Sequence, residues 1–162
     1  MRRYRRLAPG AGGVIARSVA IDRINPAELG RPSGFSHAVT VSPGRLAFLA
    51  GQTALDDRGQ ITGSGVVAQF ERALANLLTA LRAAGGGPAD LVSVTIYAVD
   101  LADYRAHGRE IGEVWRRLAG REYPAMAAVG VQRLWDAAAL VELQGVAALP
   151  EPGQDRPGQD PA

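Results

Sequence analysis

Cysteine and lysine are both absent from these 162 residues, and each absence removes a class of chemistry. Without cysteine there is no disulfide, no thiolate metal site and no cysteine nucleophile. All 18 basic residues are arginines, so a side-chain Schiff base with a carbonyl substrate cannot form. Histidine is scarce: His37 and His107 are the only two, too few and too far apart for a metal cluster. The expectation is no metal and no cofactor. Long apolar runs are missing as well. No stretch approaches membrane-spanning length, and the N-terminus lacks the apolar centre of a signal peptide. A cytoplasmic protein without a membrane partner is the default expectation.

What remains is ordinary for one globular domain: 47% apolar and 21% charged residues, in a chain long enough to bury a sizeable core. The net charge is +2. Much of the positive charge sits in Arg2, Arg3, Arg5 and Arg6, read as a solvated arm rather than a phosphate or lipid contact. The folded part carries no basic stripe, which argues against a nucleic-acid partner.

Residues 1–16, basic and then "APGAGG", and residues 150–162, with "PGQD" twice, have the composition of disordered ends. Between them, 17–149 reads as one unit. Three strands are expected at 17–22, 37–42 and 45–51, with "SPGR" as a tight turn between the last two. In "RLAFLAGQ" both alternating sets are apolar, so the third strand should be covered on both faces. Val67, Phe70, Leu74, Leu77, Leu78 and Leu81 then fall on one helical stripe, with Gln69, Arg72, Asn76 and Arg82 opposite. "LVSVTIYAV" is a β-branched strand. Asp100 caps a second helix, whose inward stripe is Tyr104, His107, Gly108, Ile111, Trp115 and Leu118. Strands at 125–132 and 139–147 close the unit. The order is βββαβαββ, an α+β layer with two helices on one face of a sheet. Nothing in the chain is left to cover the other face, which points to a second subunit.

"INPAELGRPSGFSHAV", "LAFLAGQTALDDRGQITG", "QFERALANLLTALRAAG", "LVSVTIYAVDLADY" and "YPAMAAVGV…LVELQGVA" follow one another as in the RidA/YjgF family, which the chain resembles over residues 23–149. The resemblance implies a chorismate-mutase-like fold, a homotrimer with a small-molecule cleft at each subunit interface, and deamination of reactive imines and enamines. In deaminating members an arginine after Pro-Ala holds the substrate carboxylate. Here Pro124 and Ala125 are followed by Met126. A tyrosine near the first strand is Phe35, and a serine or cysteine two residues beyond the arginine is Ala128. Gly51, Gln52 and the last-strand Glu142 match the family pattern, although the serine before Gly51 is Ala50.

A desolvated carboxylate without its cation would cost several kcal/mol, on the order of a lost buried ion pair, so classical 2-imino acid deamination is not expected. Glu142 is the candidate catalytic group, as a general base or water-positioning carboxylate; the alternative is a structural partner for an arginine across the trimer interface. Phe35, His37, Gly51, Gln52, His107, Met126 and Ala128 are the candidate substrate-binding residues. For His107 the alternative is a satisfied core histidine, and for Phe35 and Met126 plain packing. Arg31, Arg105 and Arg109 stay open as replacements for the clamp. Two functions compete: an enzyme acting on an apolar imine, enamine or carbonyl compound by hydrolysis, tautomerisation or condensation, and a non-catalytic small-molecule binder or chaperone-like trimer. Endoribonuclease action, described for some family members, ranks below both.

Overall fold

The computed structural model describes residues 20–29, 31–42 and 44–151. The expected N-terminal arm and nearly all of the expected tail lie outside these residues. Strands β1 (Ile21–Ile24) and β2 (Ala38–Val41) form a two-stranded antiparallel sheet, with Ile21 opposite Val41 and Ile24 opposite Ala38. Strands β3 (Arg45–Gln52), β4 (Leu91–Ala98), β5 (Ala125–Gly130) and β6 (Val141–Leu149) form the main sheet, in the order β3-β6-β4-β5. Only β4 and β5 run parallel, and their connection carries the second helical segment. The α+β architecture expected from the sequence is the observed one.

The helical layer consists of α1 (Val66–Ala83), α2 (Leu101–Ala106) and α3 (Gly108–Ala119). Phe70, Leu74, Leu77, Leu78 and Leu81 of α1 are essentially inaccessible, and they meet Leu49, Val94, Ile96, Val141 and Leu143 of the sheet in one core. Complete burial of each such side chain stabilises the fold by about 1.5–3 kcal/mol relative to exposure. No helix among the described residues is long and apolar enough to cross a membrane.

Four local expectations need correction. The first strand lies at Ile21–Ile24 rather than 17–22, whose first three residues are outside the described chain. Within it the Arg23 guanidinium turns inward, donating to the Tyr123 carbonyl at 3.0 Å and pairing with Glu122 at 2.9 Å. Strands β2 and β3 do not form a hairpin, because β2 pairs with β1 and β3 with β6. The second helix is broken at His107, which has φ −96° and ψ 18° and ends α2 while starting α3.

The fourth correction concerns Gln69, expected on the outer face of α1 but buried. Its Oε1 accepts from the Leu140 amide at 2.8 Å, and its Nε2 donates to the Ala138 carbonyl at 3.0 Å. The irregular segment before β6 is therefore hydrogen-bonded to the helix much as a neighbouring strand would hold it. Asn76 does the same for the loop after β3, donating to the Thr53 and Leu55 carbonyls at 3.0 and 2.9 Å. The cap on the second helical segment is as expected, with Asp100 accepting from the Asp103 amide at 2.9 Å.

Replacing Gln69 by leucine keeps the volume but strands the Leu140 amide and the Ala138 carbonyl. Gln69→Leu should lower unfolding free energy by about 1–3 kcal/mol in a denaturant titration. Amide exchange at Leu140 should accelerate in the same variant. Unchanged stability would show that the segment is held by other contacts.

Candidate functional site

The strand order separates the candidate residues before any side chain is considered. Gly51 and Gln52 lie on β3 at one edge of the sheet, while Met126 and Ala128 lie on β5 at the other. Glu142 is opposite Tyr97 on β4, on the face turned away from the helices; Met126 is opposite the buried Val94 and packs against the core. Glu142 and Met126 therefore sit on opposite faces of one sheet. A single chain does not bring Met126 and the carboxylate of Glu142 together.

Glu142 is held by a glycine. The β3–β6 register shifts between Leu49 and Gln52, and at this irregularity the Glu142 carboxylate occupies the position that a Cβ on Gly51 would take. Gly51 has no left-handed backbone angle. It is required here for space, not for conformation. The carboxylate is half-buried and makes no ion pair or hydrogen bond among the described residues. Gln144, two residues on, accepts from the Tyr97 hydroxyl at 3.2 Å. Gln52 turns the other way and borders a groove with Asp56, Arg72 and Asn76 beside α1.

On the helix side, Met126 borders a cavity of about 200 Å³ between β4, β5 and α3, together with Phe70, Ile96, Tyr104, Trp115 and Tyr123. No charged residue among the described residues lines it. Trp115 stacks on Tyr123 with ring centres 5.9 Å apart, and Tyr104 meets Phe70 edge-on at 6.2 Å. Burial pushes the Tyr104 phenol up to about 12, so it stays protonated at neutral pH. Arg31 borders a surface depression with Asn25 and Pro26, Arg109 pairs with Glu113 at 3.2 Å, and Arg105 is exposed. None of the three lines the cavity.

Phe35 and His37 stand together, ring edge to face at 5.1 Å, ahead of β2. The bridge between Ser36 and Ala125 joins this segment to the start of β5, and the Ser36 hydroxyl donates to the Tyr123 carbonyl at 2.7 Å. Ser33 and Gly34 reach the cavity, whereas Phe35 and His37 do not line it. Ala128 is exposed on the edge strand. His107 does not point inward. Its Nδ1 lies 3.0 Å from the Asp103 carbonyl and 3.1 Å from the Asp103 carboxylate, at the helix break. Its neighbour Gly108 lines the cavity instead. Tyr123 and Gly112 were not singled out from the sequence. A glycine inside an amphipathic helix was the signal for Gly112.

An α+β layer with this element order and edge arrangement defines a class, and the comparisons agree. Residues 27–149 match the family model described as endoribonuclease L-PSP, and the chain belongs to that family, the RidA/YjgF proteins. A RutC family protein of Pyrococcus abyssi is 34% identical over 119 residues, covering 72% of this chain and 88% of that one. A mouse protein named 2-iminobutanoate/2-iminopropanoate deaminase is 31% identical over 134 residues, covering 82% and 92%. The crystal structure of the Rid-family protein YyfB from Yersinia pestis superposes with a TM-score of 0.70 at 36% identity, covering 80% of this chain and 98% of that one.

His107 gives a pH signature independent of any reaction. The hydrogen bond to the Asp103 backbone, followed by the nearby negative charges of Asp103 and Glu110, raises it above its ordinary value of 6.5 against an opposing effect of burial. A raised value in the folded state means that its stabilising contribution is complete below 6.5 and is lost as pH rises through the folded value. An NMR titration should therefore place the His107 midpoint above 6.5. Asp103→Asn should lower it only part of the way, because the backbone bond remains. A midpoint below 6.5 would contradict the geometry.

Proposed function

We propose that the protein is a RidA-type enzyme acting on an apolar imine, enamine or carbonyl compound rather than on a small 2-imino acid. The observation that carries this reading is Glu142: a half-buried carboxylate without a partner among the described residues, seated on the one glycine that leaves room for it. An unpaired carboxylate on a sheet face is suited to take a proton from water or from a carbon next to an imine. In hydrolysis, water adds to the imine carbon as Glu142 accepts its proton. Passing that proton to nitrogen gives a carbinolamine; Glu142 then relays the hydroxyl proton to nitrogen as the C–N bond breaks, which releases the amine and leaves a carbonyl compound.

The substrate class follows from what stands in place of a cation. Met126 offers a polarizable, uncharged surface, and no arginine among the described residues lines the cavity beside it. The relatives named as 2-iminobutanoate/2-iminopropanoate deaminases support the imine chemistry, and Met126 argues against the carboxylate. The same reading has further copies of the chain covering the open sheet face in a homotrimer. Phe48 and Leu46, 78% and 53% exposed, lie on β3 opposite Val146 and Ala148, on the same outer sheet face as Glu142. Covering them desolvates the carboxylate and brings the β3 edge of one copy near the β5 edge of another.

Glu142→Gln is nearly isosteric and should leave the fold and assembly unchanged. On a panel of imines and enamines without a carboxylate, kcat should fall by about 10²–10⁴-fold with KM little altered. Gly51→Ala should produce a comparable loss by displacing the same carboxylate. A fully active, equally stable Glu142→Gln protein would remove the proposed base. Wild-type turnover of 2-iminopropanoate above that of apolar imines would overturn the substrate class.

A further inference from the structure

The β4–β6 register places polar groups in two successive rungs on the sheet face that carries Glu142. Tyr97 is directly opposite Glu142, and Thr95 is directly opposite Gln144. Opposed side chains of an antiparallel pair share a face, with Cβ atoms about 4.5–5.5 Å apart. Tyr97 is therefore the cross-strand neighbour of the carboxylate, and it brings a hydroxyl. Phenylalanine would satisfy strand propensity and ring packing equally well. The hydroxyl makes one hydrogen bond, to Gln144 Oε1 at 3.2 Å on the exposed side. That is beyond the usual 2.5–3.0 Å of an O–H···O contact, so it adds little to stability.

Gln144 aims the phenol and leaves its proton available. A carboxamide carries an acceptor at one end and donors at the other, while a phenol both donates and accepts. Half a turn of the Gln144 amide puts Nε2 in the place of Oε1. The same contact then runs from Gln144 to the phenolic oxygen, and the Tyr97 O–H is free for a ligand. Nε2 makes no hydrogen bond among the described residues, so no bond is lost in the turn. Gln144 also borders a depression of about 180 Å³ on this face, with Phe48, Thr95 and Val146 around it. About 150 Å³ admits benzene in an engineered cavity, so a single ring has room here. No charged residue among the described residues lines the depression.

We propose that Tyr97 is a second catalytic residue on this face: aimed by Gln144, its hydroxyl donates a hydrogen bond to the nitrogen or oxygen of an imine or carbonyl group whose apolar ring lies against Phe48. This deepens the proposed function and rests on it for the base, Glu142. The division of labour follows the electrons. As the oxygen of water bonds to the imine carbon, the π pair of C=N moves onto nitrogen. Tyr97 holds the lone pair that nitrogen already had, and the new pair takes the proton that Glu142 removed from water. The phenol keeps its own proton throughout. A substrate carboxylate would instead meet the Glu142 charge with no cation lining the depression.

Tyr97→Phe removes the hydroxyl and leaves the ring, so fold, Tm and oligomeric mass should match the wild type. On apolar imines its kcat should fall about 10²-fold, the effect of losing one donor to a developing charge. Gln144→Leu should cost a smaller factor, and none in a Tyr97→Phe background, because it acts only through the phenol. Calorimetric titration separates this contact from turnover. The wild type should bind acetophenone about 3- to 10-fold tighter than ethylbenzene, the worth of one neutral hydrogen bond. Tyr97→Phe should bind the two alike, and Glu142→Gln should keep the wild-type preference. That preference without turnover of any imine would remove the proposed function and leave Tyr97 as the donor to the ligand. Equal affinity of the wild type for acetophenone and ethylbenzene would overturn the inference. So would an undiminished preference or full kcat in Tyr97→Phe, and additive losses in the double variant would remove the aiming role of Gln144.

Discussion

Helix α1 laid across the four-stranded sheet is the contact on which the other parts depend. Its apolar stripe closes the core, and its polar flank then binds loops that have no sheet partner of their own. Gln69 holds the segment before β6, while Asn76 and Arg72 hold the loop after β3. A helix that supplied only apolar contacts would leave the part-buried Leu140 amide and the Ala138 and Thr53 carbonyls unpaired, at up to about 1–3 kcal/mol each. One element thus sets both the packing of the core and the course of the chain around it.

The sheet so formed has two unlike faces. Toward the helices it presents Val94, Ile96, Val141 and Leu143, all buried. Away from them it presents Phe48, Leu46, Tyr97 and Glu142, where large apolar side chains stand beside a carboxylate. Exposed apolar surface of this kind marks an interaction face in a soluble protein. Trp135 is a further fully exposed apolar side chain, on the loop before β6. The unpaired state of Glu142 belongs to the same face, so whatever covers the apolar side chains also determines the solvation of that carboxylate.

Glycine has opposite meanings at the two candidate locations. At Gly51 the missing side chain is occupied by another residue, the Glu142 carboxylate, and the fold itself requires it. At Gly108 and Gly112 none of the described residues fills the space. The first is a structural seat for a chemical group. The second is room left beside Met126, Trp115 and Tyr104.

Local periodicity was enough to locate most elements, because the leucine stripe of α1 and the β-branched run of β4 are dictated by neighbours in the sequence. The Asp100 cap was legible from local sequence as well, whereas the meaning of Met126 came from the resemblance to the RidA/YjgF family. Where long-range partners decide, the sequence by itself misleads. Gln69 looks like a solvent residue until the carbonyl of Ala138 is beside it. His107 keeps helical spacing, yet the Asp103 contacts and the break after it turn the ring outward. The pairing of β3 with β6 and of β5 with β4 is set by packing over many tens of residues. That pairing alone decided that Glu142 and Met126 lie on opposite faces, that Gly51 seats a carboxylate, and that an apolar cavity opens beside α3.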